Sequence, residues 1–196
     1  MSLKESNEIT VKITCPLQEL HRILEFKGFK IVDKFTMDDK FMILKTTNLK
    51  EENSRDILAK AILIRDIIGN MEKRKTKKIT FKNKQFDSQG NIVFQNSINC
   101  DITNIEDAIS IFQAIGYFQV MEIIENDIVY EKDGFQLAIK DIKNGAKLIE
   151  IETDEKYDTI DKLKMKLKEI KIPVDENDYF VKKAELELDK VKKRLA

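Results

Sequence analysis

The chain has 196 residues, of which 42% are hydrophobic and 36% are charged, so it is long enough to bury a sizeable core. Its 35 basic and 35 acidic residues cancel, which argues against a general surface for nucleic acid or membrane. No apolar run approaches the ~20 residues that cross a bilayer, and the N-terminus lacks an apolar signal core. With two distant cysteines, the composition predicts a cytoplasmic protein with reduced thiols and one domain over residues 1–196.

The first half of the chain is predicted to consist of strands around one helix. Residues 6–15 alternate polar and apolar side chains, which predicts a strand. A helix then begins at Pro16 and ends at Gly28, a residue suited to a left-handed cap. Further strands are predicted at residues 29–35, 39–46, 59–66, 77–84 and 91–102.

The second half repeats the arrangement, with Gly116 and Tyr117 in the places of Gly28 and Phe29. Such a repeat predicts two pseudo-symmetric halves. A strand begins at Tyr117, others cover residues 127–132, 135–142 and 146–153, and two terminal helices cover 157–171 and 178–195. About eight strands with few helices between them predict an α+β fold. We expect a closed antiparallel β-barrel with helices outside, including C-terminal helices over about 155–196.

The polar faces of the strands are ionic. Residues 8–14 and 147–153 place Lys and Glu on one face and apolar side chains on the other. If the apolar face packs against helices and the ionic face curls inward, the barrel encloses a charged tunnel. Mixed carboxylates and cations inside such a tunnel suit a metal ion and a polyphosphate.

Five short motifs occur in order along the chain: Glu8-Ile9-Thr10-Val11-Lys12, Ala61-Ile62-Leu63-Ile64-Arg65, Ile79-Thr80-Phe81-Lys82, Ala114-Ile115-Gly116-Tyr117 and Lys147-Leu148-Ile149-Glu150-Ile151-Glu152. Their order and spacing resemble the CYTH family of triphosphate tunnel enzymes, which includes class IV adenylyl cyclases and thiamine triphosphatases. The resemblance covers about residues 6–185. It implies a small-molecule polyphosphate or nucleoside triphosphate as ligand and no nucleic acid or membrane partner, with a homodimer as an open alternative.

The resemblance also implies a set of site residues. Glu8, Glu150 and Glu152 would hold Mg2+ or Mn2+ with oxygen ligands. Lys12 would orient or deprotonate the nucleophile, so Lys12→Ala is expected to abolish phosphate release. Arg65 and Lys82 would bind the substrate. Strand alternation places Lys78 and Lys84 on the same face as Lys82, so they are expected to add to the substrate site. The alternative is that all these charged residues are solvated or salt-bridged strand positions.

Several positions depart from the family pattern. Thr10 and Lys140 stand where the family has acidic residues. Basic residues of the family are replaced here by Leu63, Gln95, Glu125 and Asp127. Acids in place of cations would oppose an anionic ligand in a low-dielectric tunnel. Asp39 falls in a strand that we interpret as structural. The sequence therefore favours a metal-dependent triphosphate hydrolase, with a catalytically degenerate tunnel protein or an adenylyl cyclase as alternatives.

Overall fold

The computed structural model describes residues 8–70, 75–86 and 92–195, without the side chains of residues 83–86 and 92–96. The described strands are β1 Glu8–Lys12, β2 Lys30–Leu44, β3 Ile62–Gly69, β4 Lys75–Phe86, β5 Ile92–Asp101, β6 Tyr117–Lys132, β7 Phe135–Ile142 and β8 Lys147–Glu152. The described helices are α1 Leu17–Phe26, α2 Ser54–Ala59, α3 Ile105–Ala114, α4 Ile160–Ile170 and α5 Lys183–Leu195.

The eight strands form one antiparallel sheet in the order β1-β8-β7-β6-β2-β3-β4-β5, which confirms the predicted α+β class. Two pairs of predicted strands are each a single long strand, β2 and β6. The residues between the two predicted strands of each pair stay extended because β2 and β6 pair with each other along nearly their whole length. The short helix α2 was not predicted. The Asn53 side chain caps it by accepting a hydrogen bond from the backbone N–H of Asp56 at 2.8 Å.

Among the described strands no ladder joins β5 to β1, so the structure shows the antiparallel sheet but not the predicted closure into a barrel. Instead, an extended segment of the C-terminal region runs along the free edge of β1. The Thr10 N–H donates to the Tyr179 carbonyl at 2.9 Å, and the Val181 N–H donates to the Thr10 carbonyl at 3.0 Å. The Asp175 N–H donates to the Lys12 carbonyl at 2.8 Å. This segment satisfies the edge that closure would otherwise have paired, and α5 therefore begins at Lys183 rather than at residue 178.

The outer face of the sheet is covered by helices. Leu20 and Leu24 of α1 and Leu163 and Leu167 of α4 pack with the apolar side chains of β1, β7 and β8 in one large core. α3 packs on β2 and β3 in a separate core. Each fully buried Leu contributes about 1.5–3 kcal/mol through removal of apolar area from water, so these helices fix which face of the sheet turns inward.

The inner face is apolar at one end and ionic at the other. Phe41, Leu63 and Leu148 project inward and pack with Ile57 of α2 and Leu188 of α5. Charged side chains occupy the rest of the inner face. Neither α2 nor α5, nor any other helix in the described part of the chain, is long and apolar enough to span a bilayer.

A candidate metal and anion site in the inner pocket

The ionic end of the inner face encloses a cavity of about 390 Å³, which we call the inner pocket. Seven of the eight described strands contribute side chains to its wall, so the sheet is strongly curved although it is not closed. Residues of α2 and the segment 180–185 complete the wall. Among the described lining residues, seven are cationic and five are acidic. The predicted ionic interior is therefore present.

Glu8, Glu150 and Glu152 converge at one side of the inner pocket. Each can offer an oxygen atom such that the three oxygens lie within 4.8 Å of one another. The strand register explains the convergence, since Glu8 lies directly opposite Glu152 and Thr10 lies opposite Glu150. Three carboxylate oxygens at this separation match the preference of Mg2+ and Mn2+ for oxygen ligands. Burial, together with the nearby Glu150 carboxylate, raises the pKa of Glu8, and a bound cation would relieve that repulsion.

Lys82 lines the inner pocket from β4, as the sequence predicted. Among the described residues, no carboxylate forms a salt bridge with it. Burial and then the neighbouring Arg65 lower the pKa of Lys82, whereas Glu8 and Glu150 act in the opposite direction. Lys78 also lines the pocket, and burial and Arg65 lower its pKa. The Lys84 side chain lies outside the described residues.

Arg65 reaches the inner pocket but is already paired. Its Nε and Nη2 atoms donate to the two carboxylate oxygens of Asp39 at 2.5 and 2.6 Å. Asp39 lies directly opposite Arg65 on β2 and is 2% exposed. Although burial opposes it, the Asp39 carboxylate raises the pKa of Arg65. Such a bidentate pair fixes the guanidinium plane and leaves its other N–H groups for a ligand.

Lys12 is not brought together with the other predicted site residues. Among the described residues it lines a second cavity, next to the β7–β8 turn and α5, together with Lys147 and Lys190. It shares a strand face with Glu8, but the end of β1 extends past the inner pocket. In the part of the chain that the structure describes, no contact joins Lys12 to the inner pocket, so its predicted catalytic role stays a prediction.

The charged residues of β6 and β7 that depart from the family pattern form a buried network of ion pairs. Lys140 Nζ lies 3.0 Å from Asp127 Oδ2, 3.2 Å from Glu150 Oε1 and 3.6 Å from Glu125 Oε1. Asp127 lies directly opposite Lys140 in the register. Burial raises the pKa of Asp127 to about 6, even though Lys140 opposes the shift. Burial alone would lower the pKa of Lys140, but Glu150, Glu125 and Asp127 together raise it.

Lys183, the first residue of α5, is a site residue that the sequence did not reveal. Its Nζ lies 2.7 Å from both carboxylate oxygens of Glu125. Arg55 of α2 also lines the pocket, and its Nε contacts Glu185 at 3.2 Å. No local pattern marks these residues, because they reach the pocket only when α2 and α5 dock onto the sheet.

Comparisons with known proteins identify the fold. No family model and no curated protein matches the chain. Among solved structures, protein PH1819 of Pyrococcus horikoshii is similar at a TM-score of 0.67 and 16% identity, over 94% of this chain and 99% of that one. Protein PH1012 of the same organism matches at 0.61 and 16%, over 92% and 99%. A proposed adenylate cyclase from Vibrio parahaemolyticus matches at 0.61 and 12%, over 94% and 97%.

These likenesses show that the chain shares its α+β fold with solved proteins, one of which is described as a proposed adenylate cyclase, a class within the family that the sequence resembles. At such low identity they show the fold alone. The function of this chain has to be argued from its own pocket.

Proposed function

We propose that this protein is a metal-dependent phosphohydrolase that acts on an inorganic or organic triphosphate in the inner pocket. The observation that carries the proposal is the convergence of Glu8, Glu150 and Glu152 in the same cavity as Lys82, a cation without a carboxylate partner among the described residues. Carboxylates alone would suit many ions, but carboxylates facing an ammonium group suit a metal ion that is shared with an anion.

The three carboxylates would hold Mg2+ or Mn2+, and the ion would neutralise charge on phosphate oxygens. The chain's own side chains do the rest. Lys82 and Lys78 donate to phosphate oxygens, and Arg65 presents its remaining N–H groups in a plane fixed by Asp39. Because Asp39 holds the Arg65 guanidinium in place before the ligand arrives, Arg65 stabilises developing charge on the transferred phosphoryl group without reorganising.

Two alternatives rest on specific observations. Arg65 and Lys140 are neutralised by carboxylates, and Lys12 opens onto another cavity, which favours a protein that binds a charged ligand without catalysis. The Vibrio parahaemolyticus neighbour is described as a proposed adenylate cyclase, which favours attack by a ribose hydroxyl with release of pyrophosphate. Both alternatives use the same pocket and differ in the product.

The test is a product assay with purified protein. Tripolyphosphate, thiamine triphosphate and ATP are each incubated with the protein and Mg2+, Mn2+ or EDTA, and phosphate, pyrophosphate and cyclic AMP are measured. We expect phosphate release that requires the metal and is lost in Glu150→Gln but not in Glu155→Gln, a substitution of a nearby exposed acid.

The other results separate the alternatives. Pyrophosphate and cyclic AMP from ATP would identify a cyclase. A thermal shift with tripolyphosphate and Mg2+ but no product would identify a binding protein. The absence of both a shift and a product would reject the inner pocket as a triphosphate site.

A further inference from the structure

Strand β6 carries two acids close to the inner pocket, but the charged side chains that bind them and line the cavity are cations. Glu125 and Asp127 are 0% and 1% exposed and do not line the cavity. Lys140 and Lys183, which bind them, do line it. The acids thus lie behind two ammonium groups. The opposition to an anion that Glu125 and Asp127 would cause on an open wall is offset by these two cations.

Lys183 is the more informative of the two cations, because it comes from outside the sheet. Lys140 already has three carboxylates within 3.6 Å. Lys183 has Glu125, and its side chain is 19% exposed towards the cavity that it lines. An ammonium group has three donors, so a single carboxylate leaves Lys183 able to contact a further acceptor.

The position of Lys183 relative to Lys82 indicates what that acceptor is. Lys82 lines the cavity from β4 and Lys183 lines the same cavity from the first turn of α5. Two ammonium groups that face the same cavity repel each other. A polyanion between them would turn this repulsion into two attractions.

We propose that Lys183 is an anion-binding residue of the inner pocket, so that the segment 180–185 is part of the ligand site. The inference rests on the proposed function for the class of ligand, a polyphosphate. In this proposal the C-terminal segment supplies a positive charge for the ligand, which β6 does not supply.

The location of Lys183 couples the ligand to the C-terminal segment. The residues just before it cover the edge of β1 through the backbone hydrogen bonds of Tyr179 and Val181. Phe180, Val181 and Lys182 line the pocket beside it. A ligand that binds Lys183 would therefore hold the segment against both the pocket and the β1 edge, and its amides would open less often.

The rival explanation is that Lys183 serves only as a counter-ion for Glu125. Lys183→Met leaves Glu125 buried without its closest cation, and loss of binding in that variant could reflect a distorted pocket. The double variant Glu125→Gln with Lys183→Met removes both charges and leaves no new unpaired carboxylate. It therefore separates the two roles, provided that its melting curve shows a folded protein.

Calorimetric titration with sodium tripolyphosphate, with and without Mg2+, is the first test. A charge-assisted hydrogen bond predicts that Lys183→Met and the double variant both bind about 10- to 100-fold more weakly than wild type. Lys183→Arg should bind within about 3-fold of wild type, since it keeps the charge. The control Lys193→Met, in the exposed last turn of α5, should leave binding unchanged.

Two results would overturn the inference: affinity of the double variant equal to that of wild type, or no binding by wild type in either condition. Phosphate release from the same preparations separates this inference from the proposed function. If wild type binds through Lys183 but releases no phosphate, the hydrolase proposal fails and the inference stands. If wild type hydrolyses and the double variant keeps its affinity, only the inference fails.

Hydrogen exchange of the wild-type protein is the second test and needs no variant. We expect tripolyphosphate to slow exchange of the amides of residues 180–188 by about 10-fold or more relative to helix α4, which lies on the outer face. Equal protection with and without tripolyphosphate would contradict the coupling of the ligand to the C-terminal segment.

Discussion

The inner face of this protein carries two groups of carboxylates that differ in the charge of the residues opposite them. On β1 and β8, Glu8 lies opposite another acid, Glu152. On β6 and β7, Asp127 lies opposite Lys140 and becomes part of a neutralised network. Both groups arise from the same polar–apolar alternation. Whether an acid is available to a metal ion or serves as a buried partner is therefore decided by what stands across the strand pair.

Glu150 joins the two groups. Its Oε1 lies 3.2 Å from Lys140 Nζ, and its carboxylate is also one of the three that converge with Glu8. The buried network thus holds one member of the open acid cluster in position. The difference between the two groups can be tested by removing the cation Lys140 from the buried network or the acid Glu8 from the open cluster.

The largest effect is expected from Lys140→Met. This substitution would leave Glu125 and Asp127 buried without their shared cation, which should cost about 3–5 kcal/mol of unfolding free energy. Urea unfolding in the presence of EDTA measures it. Lys143→Met, an exposed neighbour, is the control and should change stability by less than about 0.5 kcal/mol. A loss below about 1 kcal/mol for Lys140→Met would show that the network is not a stabilising unit.

The open cluster should respond in the opposite way. Without metal, Glu8→Gln should leave stability unchanged or raise it, because burial and Glu150 already disfavour the charged Glu8. With Mn2+ at about 100 times its Kd, wild type should gain about 2.7 kcal/mol, or roughly 5–10 °C in Tm. Glu8→Gln should lose most of that gain, and Glu155→Gln should keep it. An equal Mn2+ shift in wild type and Glu8→Gln would remove Glu8 from the metal site.

The network should also give stability a dependence on pH through Asp127. Its pKa is about 6 in the folded protein, above the ordinary 3.8, so the folded state holds the proton at pH values where the unfolded chain has lost it. The contribution to stability is therefore present at acidic pH and is lost as the pH rises through about 6. Relative to Asp127→Asn, wild type should lose about 1 kcal/mol between pH 5 and pH 7.5. Parallel curves for the two proteins would show that Asp127 does not titrate there.

The smallest effect is expected from Lys12→Ala. The sequence predicted that this change abolishes phosphate release, but Lys12 lines the second cavity. From its location we expect tripolyphosphate affinity within about two-fold of wild type and stability within about 0.5 kcal/mol. Titration calorimetry and urea unfolding measure both. A loss of affinity beyond 10-fold, on the scale expected for a lost charge-assisted contact, would return Lys12 to the site.

Much of the fold could be predicted from the periodicity of the apolar residues and from the positions of the glycines. Strong alternation located the strands, and Gly28 and Gly116, with φ of 86° and 95°, mark the predicted ends of two helical segments. The proximity of Glu8, Glu150 and Glu152 was also expected from the resemblance, whereas their binding of a metal ion stays a prediction. The hidden pairing of Arg65 with Asp39 was missed, because it depends on the register of β2 against β3, which a single sequence does not fix.

Alternation along the chain determined by itself which side chains share a face, since successive residues of a strand point in opposite directions. That was enough to place ionic groups on the inner face and hydrocarbon on the outer. Only the tertiary structure decided which ions meet, because strand register and the docking of α5 bring together residues far apart in sequence, such as Glu125 and Lys183. The open edge of β1 was settled in the same way, by a distant segment that supplies the hydrogen bonds the strand lacks.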